Sequence, residues 1–139
     1  MKRFYVIAYI FSFVAFMPIN AGAAELLYFY SDACNYCERW NNEVGSIYNK
    51  TKESSVLKLR QVDIHAEIPS DIEHIKGVVY TPTFVAVDNG REIGRIVGYG
   101  GDIFFWQHIE ALLNDMKKSK SNIIPPCPDN GNSDKLLSC

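Results

Sequence analysis

The chain has 139 residues, enough for one ordinary domain and too few for two. It is 47% apolar and 22% charged, with a formal net charge of −2. That is the composition of a globular protein; it excludes collagen-like, coiled-coil, disordered and multi-span membrane chains. No basic stripe is visible, so no nucleic-acid partner is expected.

Lys2 and Arg3 precede an uncharged run of about 14 residues at 4–17, shorter than the roughly 20 that a membrane-spanning helix needs. Pro18 and Asn20 break the run, and Ala21-Gly22-Ala23 supplies small residues where a signal peptidase would cut. Residues 1–23 are therefore predicted to be a cleavable export signal, cut after Ala23. An uncleaved anchor is the alternative reading. Export would put the cysteines in an oxidising compartment, where disulfides form and persist.

Residues 25–31 are apolar and aromatic and predict a buried strand. From Cys37, apolar residues recur at Trp40, Val44, Ile47 and Tyr48, a helical spacing. Residues 56–64 alternate as a second strand. Pro69, Ser70 and Asp71 open a predicted helix that runs to Lys76 and stops at Gly77. Thr83–Asp88 is a third strand, Asn89-Gly90 a two-residue hairpin turn, and 91–98 the returning strand. Asp102 caps a last helix with Ile103, Trp106, Ile109, Leu113 and Met116 as its apolar stripe, widened by Phe105 and Leu112. The order β-α-β-α-β-β-α predicts an α/β fold with a central mixed sheet flanked by helices. The domain is expected to span 24–117. The polar, proline-containing 118–139 reads as a weakly ordered tail. No internal repeat is evident.

Cys34-Asn35-Tyr36-Cys37 lies between the first strand and the first helix. At a helix N-terminus, unpaired N–H groups and the helix dipole favour a thiolate, the nucleophile of disulfide exchange. Cys37 is one turn on and starts the apolar stripe, so it is expected to be more buried. That asymmetry makes Cys34 the attacking sulfur and Cys37 the resolving one. An inert structural bridge is disfavoured, since one helical turn closes too small a loop to add much stability. Half of a zinc site is disfavoured because no second ligand pair has matching spacing: Cys127 and Cys139 lie in the tail, and His65, His74 and His108 are scattered. No metal and no cofactor is expected.

Pro82, preceded by Thr81, heads the third strand. It is either a plain strand start or a cis proline that faces the cysteines and lets the Thr81 backbone pair with an extended substrate. Tyr36, between the cysteines, is the better candidate of two tyrosines to touch substrate; Tyr99 is the other. Asp32 and Glu38 flank the cysteine pair. Phe104, Phe105 and Trp106 are expected in the core rather than in a docking patch. The histidines are expected to face solvent. Cys127 and Cys139 are candidates for a tail disulfide; the alternatives are an exposed thiol pair or a partner for Cys34.

Cys34-Asn35-Tyr36-Cys37 after a strand, Thr81-Pro82-Thr83-Phe84, the hairpin at 88–99 and a closing amphipathic helix resemble the thioredoxin superfamily across about residues 25–117. Residues 62–64 and 81–106, with the export signal, are most similar to the small exported thioredoxins linked to bacterial sulfur-oxidation (Sox) clusters. The resemblance implies a cis Pro82, Gly98 at the border of a substrate groove, and thiol–disulfide exchange. It implies reduction of disulfides or sulfur adducts on partner proteins, by a monomer recharged by a membrane-bound electron donor. An oxidase or isomerase, or a non-catalytic redox-responsive binding module, is the alternative. The chain departs from the family at three places. Ala33 stands where a Trp is usual, Asn35-Tyr36 where Gly-Pro is usual, and Tyr28 where a buried Asp relays a proton. Tyr36 and Thr81 are closer to the periplasmic isomerase branch, whose dimerisation module this chain has no room for.

Overall fold

The computed structural model describes residues 24–121. The predicted export signal (1–23) and the cysteines Cys127 and Cys139 lie outside the described residues.

Strand β1 (Glu25–Tyr30) is apolar on both sides, and both sides are covered. Side chains alternate across a strand, so Leu26 and Tyr28 enter one layer and Leu27 and Phe29 the other. The first layer holds Cys37, Trp40, Val44, Tyr48, Phe84 and Phe105. The second, smaller layer holds Val62, Ile72, Ile75, Val85 and Val87. A strand buried on both faces belongs in the middle of its sheet. The strand order is β2-β1-β3-β4, with β2 (Lys58–Asp63), β3 (Thr83–Asp88) and β4 (Arg91–Val97). β2 runs parallel to β1, β3 antiparallel to it, and β4 antiparallel to β3. The β3–β4 hairpin turns at Asn89 and Gly90, both at positive φ (51° and 73°), as a tight two-residue turn requires.

Helix α1 (Asn35–Trp40) runs on through a π-helical turn (Asn41–Gly45) and a last α turn (Ser46–Tyr48). The π turn rotates the helix. Tyr48 faces the core and Ile47, predicted to do so, is 46% exposed. Gly45 lets the backbone pass against the indole: a Cβ there would lie 2.9 Å from Trp40 Cζ3.

Three predicted boundaries change. The strand expected at 56–64 starts only at Lys58, because Lys52–Val56 forms a short helix, α2. Thr51 caps α2, its Oγ1 accepting the Ser54 N–H at 3.3 Å. The helix predicted at 69–76 is a single 3-10 turn, Ser70–Ile72. A stretch this short cannot repay helix nucleation, and its shape is set instead by burying Ile72 and Ile75. The last helix, α3 (Asp102–Ser121), runs past 117 and buries Phe105, Ile109, Leu112 and Met116. The core face is thus rotated from the predicted stripe. Ile103 is 71% exposed, and Trp106 and Leu113 are only partly buried at the margin. Phe104, expected in the core, is also exposed, with the half-buried His108 packed on its ring at 4.0 Å.

Arg60 on β2 clasps Asp71 of the 3-10 turn through Nη1 and Nη2, at 2.5 and 3.1 Å. This hydrogen-bonded pairing holds the Asp71 carboxyl below its ordinary range. A lowered folded-state value means the contribution is complete above about pH 4 and is lost as pH falls through the lowered value. Asp71→Asn should therefore lower the urea midpoint at pH 7 and converge on the parent protein in acid. A difference that is constant across pH would assign the loss to something other than this pair.

Candidate active site

The sheet order brings four chain segments to one pole: the end of β1, the start of β3, the end of β4 and the start of α3. The turn 31–33 leaves β1 and delivers Cys34 as the N-cap of α1, its N–H donating to Ser31 O at 3.2 Å. Cys34 Sγ accepts the backbone N–H of Cys37 at 3.0 Å. The sulfur thus occupies the place that a capping oxygen usually takes. Unpaired helix amides and the dipole favour negative charge there, so this geometry supports a thiolate on Cys34 after reduction.

Cys34 and Cys37 are joined in a disulfide with a Cα–Cα distance of 5.2 Å. Cys34 is half-buried, whereas Cys37 is 2% exposed and part of the core. An incoming sulfur therefore reaches Cys34 and not Cys37.

Tyr28 lies beneath this turn. Its hydroxyl donates to Cys37 O at 3.3 Å. Its ring stacks on Phe84, centroids 5.0 Å apart, and tilts against Trp40 at 4.4 Å. Burial pushes the phenol up to about 12, with Tyr30 adding to the rise and Asn41 opposing it. The group bonded to the Cys37 backbone is accordingly a neutral hydrogen-bond donor around neutral pH, not a base.

The Thr81–Pro82 peptide bond is cis. Pro82 is buried and Thr81 half-buried. The pairing of Phe29 with Thr83 places Pro82 next to the end of β1, on the side where the chain turns toward Cys34. Gly98, at φ +82°, donates its N–H to Pro82 O at 2.7 Å and so borders the same loop. Among the described residues no backbone hydrogen bond engages Thr81. Tyr36 is 60% exposed between the cysteines.

Tyr99 differs from expectation. It is buried, with its hydroxyl bonded to Glu43, and does not offer its face to a groove. Two further residues at this pole escaped the sequence reading. Val79 and Tyr80, just ahead of Thr81, are 75% and 69% exposed. Two adjacent apolar residues before a proline carry no periodic signal that marks them as surface. Among the described residues no group of three or more His, Cys, Asp or Glu is placed to hold a metal ion. No helix among them is long and apolar enough to cross a membrane. A cavity of about 660 Å³ lies between Thr51–Glu53 and α3, but none of its lining residues belongs to the cysteine or proline segments.

This geometry agrees with known proteins. Residues 19–113 match the family model described as a thioredoxin-like domain. The periplasmic thioredoxin SoxS of Paracoccus pantotrophus, in its reduced form, is 32% identical. That match covers 67% of this chain and 98% of SoxS, with a TM-score of 0.63. The Malassezia sympodialis thioredoxin Mala s 13 is 22% identical over 66% of this chain and 79% of its own, TM-score 0.55. A Thermus thermophilus thioredoxin is 23% identical over 66% and 75%, TM-score 0.51. The last two share the fold. No curated protein sequence matches the chain. The chain belongs to the thioredoxin-like family. With its Cys34–Cys37 pair it is a thiol–disulfide oxidoreductase.

Tyr28→Phe keeps the ring stack and removes the hydroxyl. It should cost about 1 kcal/mol of stability, the ordinary net value of one hydrogen bond. The pH dependence of Cys37 alkylation in the reduced protein should stay as in the parent. A shifted thiol titration would show that the phenol takes part in proton transfer.

Proposed function

We propose that the protein is a periplasmic reductant of disulfides or sulfur adducts on partner proteins. The observation that carries this reading is the unequal access of the two sulfurs at the helix start, with Cys34 reachable and Cys37 enclosed. Cys34 thiolate attacks one sulfur of the partner disulfide. The partner S–S bond breaks, a mixed disulfide forms, and the other partner sulfur leaves as a thiolate. Cys37, deprotonated, then attacks Cys34 Sγ. The second partner thiolate leaves and the Cys34–Cys37 bond closes, so two electrons have passed to the partner. A membrane-bound dithiol donor returns them by the same exchange in reverse.

Thr81, Pro82, Gly98 and Tyr36 form the substrate-contacting rim in this reading. The free Thr81 backbone pairs with an extended partner segment, as an added strand pairs with an exposed edge. Support for the location comes from the export-signal pattern of 1–23 and from the periplasmic description of SoxS. Secreted protein should begin at Ala24. The protein works as a monomer, and a Cys127–Cys139 bridge, if made, stays outside the exchange.

Two measurements test the reading. A Cys34–Cys37 reduction potential near about −270 mV fits a reductant, whereas one near about −120 mV would make the protein an oxidant. Cys37→Ser should accumulate a covalent adduct with a disulfide-bearing protein, and Cys34→Ser should accumulate none. Equal association of both variants without a covalent link would instead indicate a binding module.

A further inference from the structure

The loop between β4 and α3 reads Gly98-Tyr99-Gly100-Gly101. Gly98 and Gly101 sit at positive φ, +82° and +111°. Glycine backbone has the most freedom to lose on ordering, so a loop of this composition does not hold its own shape. Tyr99 carries the one side chain beyond hydrogen in it. That side chain is 5% exposed, and its hydroxyl donates to Glu43 Oε2 at 2.6 Å. Glu43 Oε1 accepts from Arg39 Nε at 2.8 Å, and the Arg39 guanidinium lies 5.7 Å from the Tyr99 ring centroid. The Tyr99 hydrogen bond, and after it Arg39, holds the Glu43 carboxyl below its ordinary range.

Arg39 and Glu43 belong to the helical segment that starts at the disulfide. Gly98 belongs to the other side, where its N–H meets Pro82 O at 2.7 Å. Tyr99 therefore joins two parts of the site that arrive by different routes. The cysteine helix follows β1, whereas the proline loop and Gly98 come from the β3–β4 pair. The β1–β3 ladder brings helix and proline loop to the same pole but ends at the Phe29–Thr83 pair, and both lie beyond it, so no strand pairing runs between the helix and Gly98.

We propose that Tyr99 is a positioning residue: its bond to Glu43 holds Gly98 at a fixed distance from the cysteine helix and so sets affinity for extended protein substrates. The proposal rests on Thr81, Pro82 and Gly98 forming the substrate rim. Neither Tyr99 nor Glu43 touches a sulfur through a hydrogen bond, so chemistry at the disulfide is left as it is. A small disulfide needs only the two cysteines and no rim, and so does not sense the gap.

The test uses the parent protein, Tyr99→Phe, Glu43→Ala and the double variant. Tyr99→Phe keeps the ring that packs edge-on to Phe105. Glu43 is at the surface, so its truncation leaves a folded protein whatever happens to Tyr99→Phe. Reduction of insulin, with dithiothreitol as electron source, reads protein substrates, and reduction of hydroxyethyl disulfide reads bare exchange. Each single variant should raise KM for insulin roughly three- to tenfold, the scale of one ordinary net hydrogen bond. The double variant should be no worse than either single one, because both remove the same bond. Rates with hydroxyethyl disulfide, kcat with insulin and the reduction potential should not move. An unchanged insulin KM alongside a lower melting temperature would make Tyr99 a packing residue and overturn the proposal. Equal losses on both substrates, or a shifted potential, would also overturn it. Failure of the parent itself to reduce insulin while it exchanges with the small disulfide would remove the rim reading, and the proposal with it.

Discussion

The more accessible sulfur of the pair is also the atom that finishes a helix. Cys34 stands where the chain leaves a strand buried on both faces and enters α1, and its Sγ takes the Cys37 N–H that a serine or aspartate oxygen would otherwise take. A helix start needs an acceptor, and a charged one is better than a neutral one. Reduction to a thiolate thus strengthens the cap. The same geometry removes Cys37 from view, because one turn further on it lies on the helix face that, with Trp40, is buried in the core. Exposure of one sulfur and enclosure of the other are two consequences of one helix phase.

What lies opposite the cysteines follows from strand direction. Because β3 is antiparallel to β1 and β4 to β3, the start of one and the end of the other meet at the end of β1. Pro82 and Gly98 are neighbours through one backbone bond that continues the β3–β4 ladder a step past Thr83 and Val97. The ladder stops there, and Thr81 is left with a donor and an acceptor. An unspent strand edge beside a reactive sulfur is the arrangement in which a partner's extended segment can be held by backbone bonds while its sulfur is attacked. The exposed Val79, Tyr80 and Tyr36 are connected to this edge in sequence or placed across from it.

Much of this was legible in the sequence because it is short-range. The cysteine spacing, the apolar run before it, the Asn-Gly turn and the proline ahead of an apolar strand each depend on a few neighbouring residues. The resemblance to a known family supplied the rest of the sheet. The failures are long-range. Nothing local in 69–76 says that Arg60, on another strand, will clasp Asp71 and that two isoleucines will be drawn under the sheet in place of a helix. The core face of α3 was misread because Ile103 and Phe105 are equally apolar, and only the packing of Phe105 against Trp40 and Phe84 decides between them. The burial of Tyr99, weighed as the second candidate for substrate contact, was hidden for the same reason: its partner Glu43 is far away in sequence, and a π turn, which no apolar spacing announces, helps to place it.

The polar groups around the disulfide divide by depth. Inside, the donors are neutral: the Tyr28 phenol against Cys37 O, and the Trp40 indole, whose Nε1 has no hydrogen-bond partner. At the rim the groups are charged: Arg39 and Glu43 meet where water still reaches them. This follows the cost of burying charge, which is steep without a partner and small at a half-wet surface. A carboxylate at position 28 would have to be carried inside an aromatic cage of Trp40 and Phe84, so a phenol that stays protonated is the stable solution there. The consequence reaches the chemistry. With no charged base in that place, the exchange proposed above has to deprotonate Cys37 by another route.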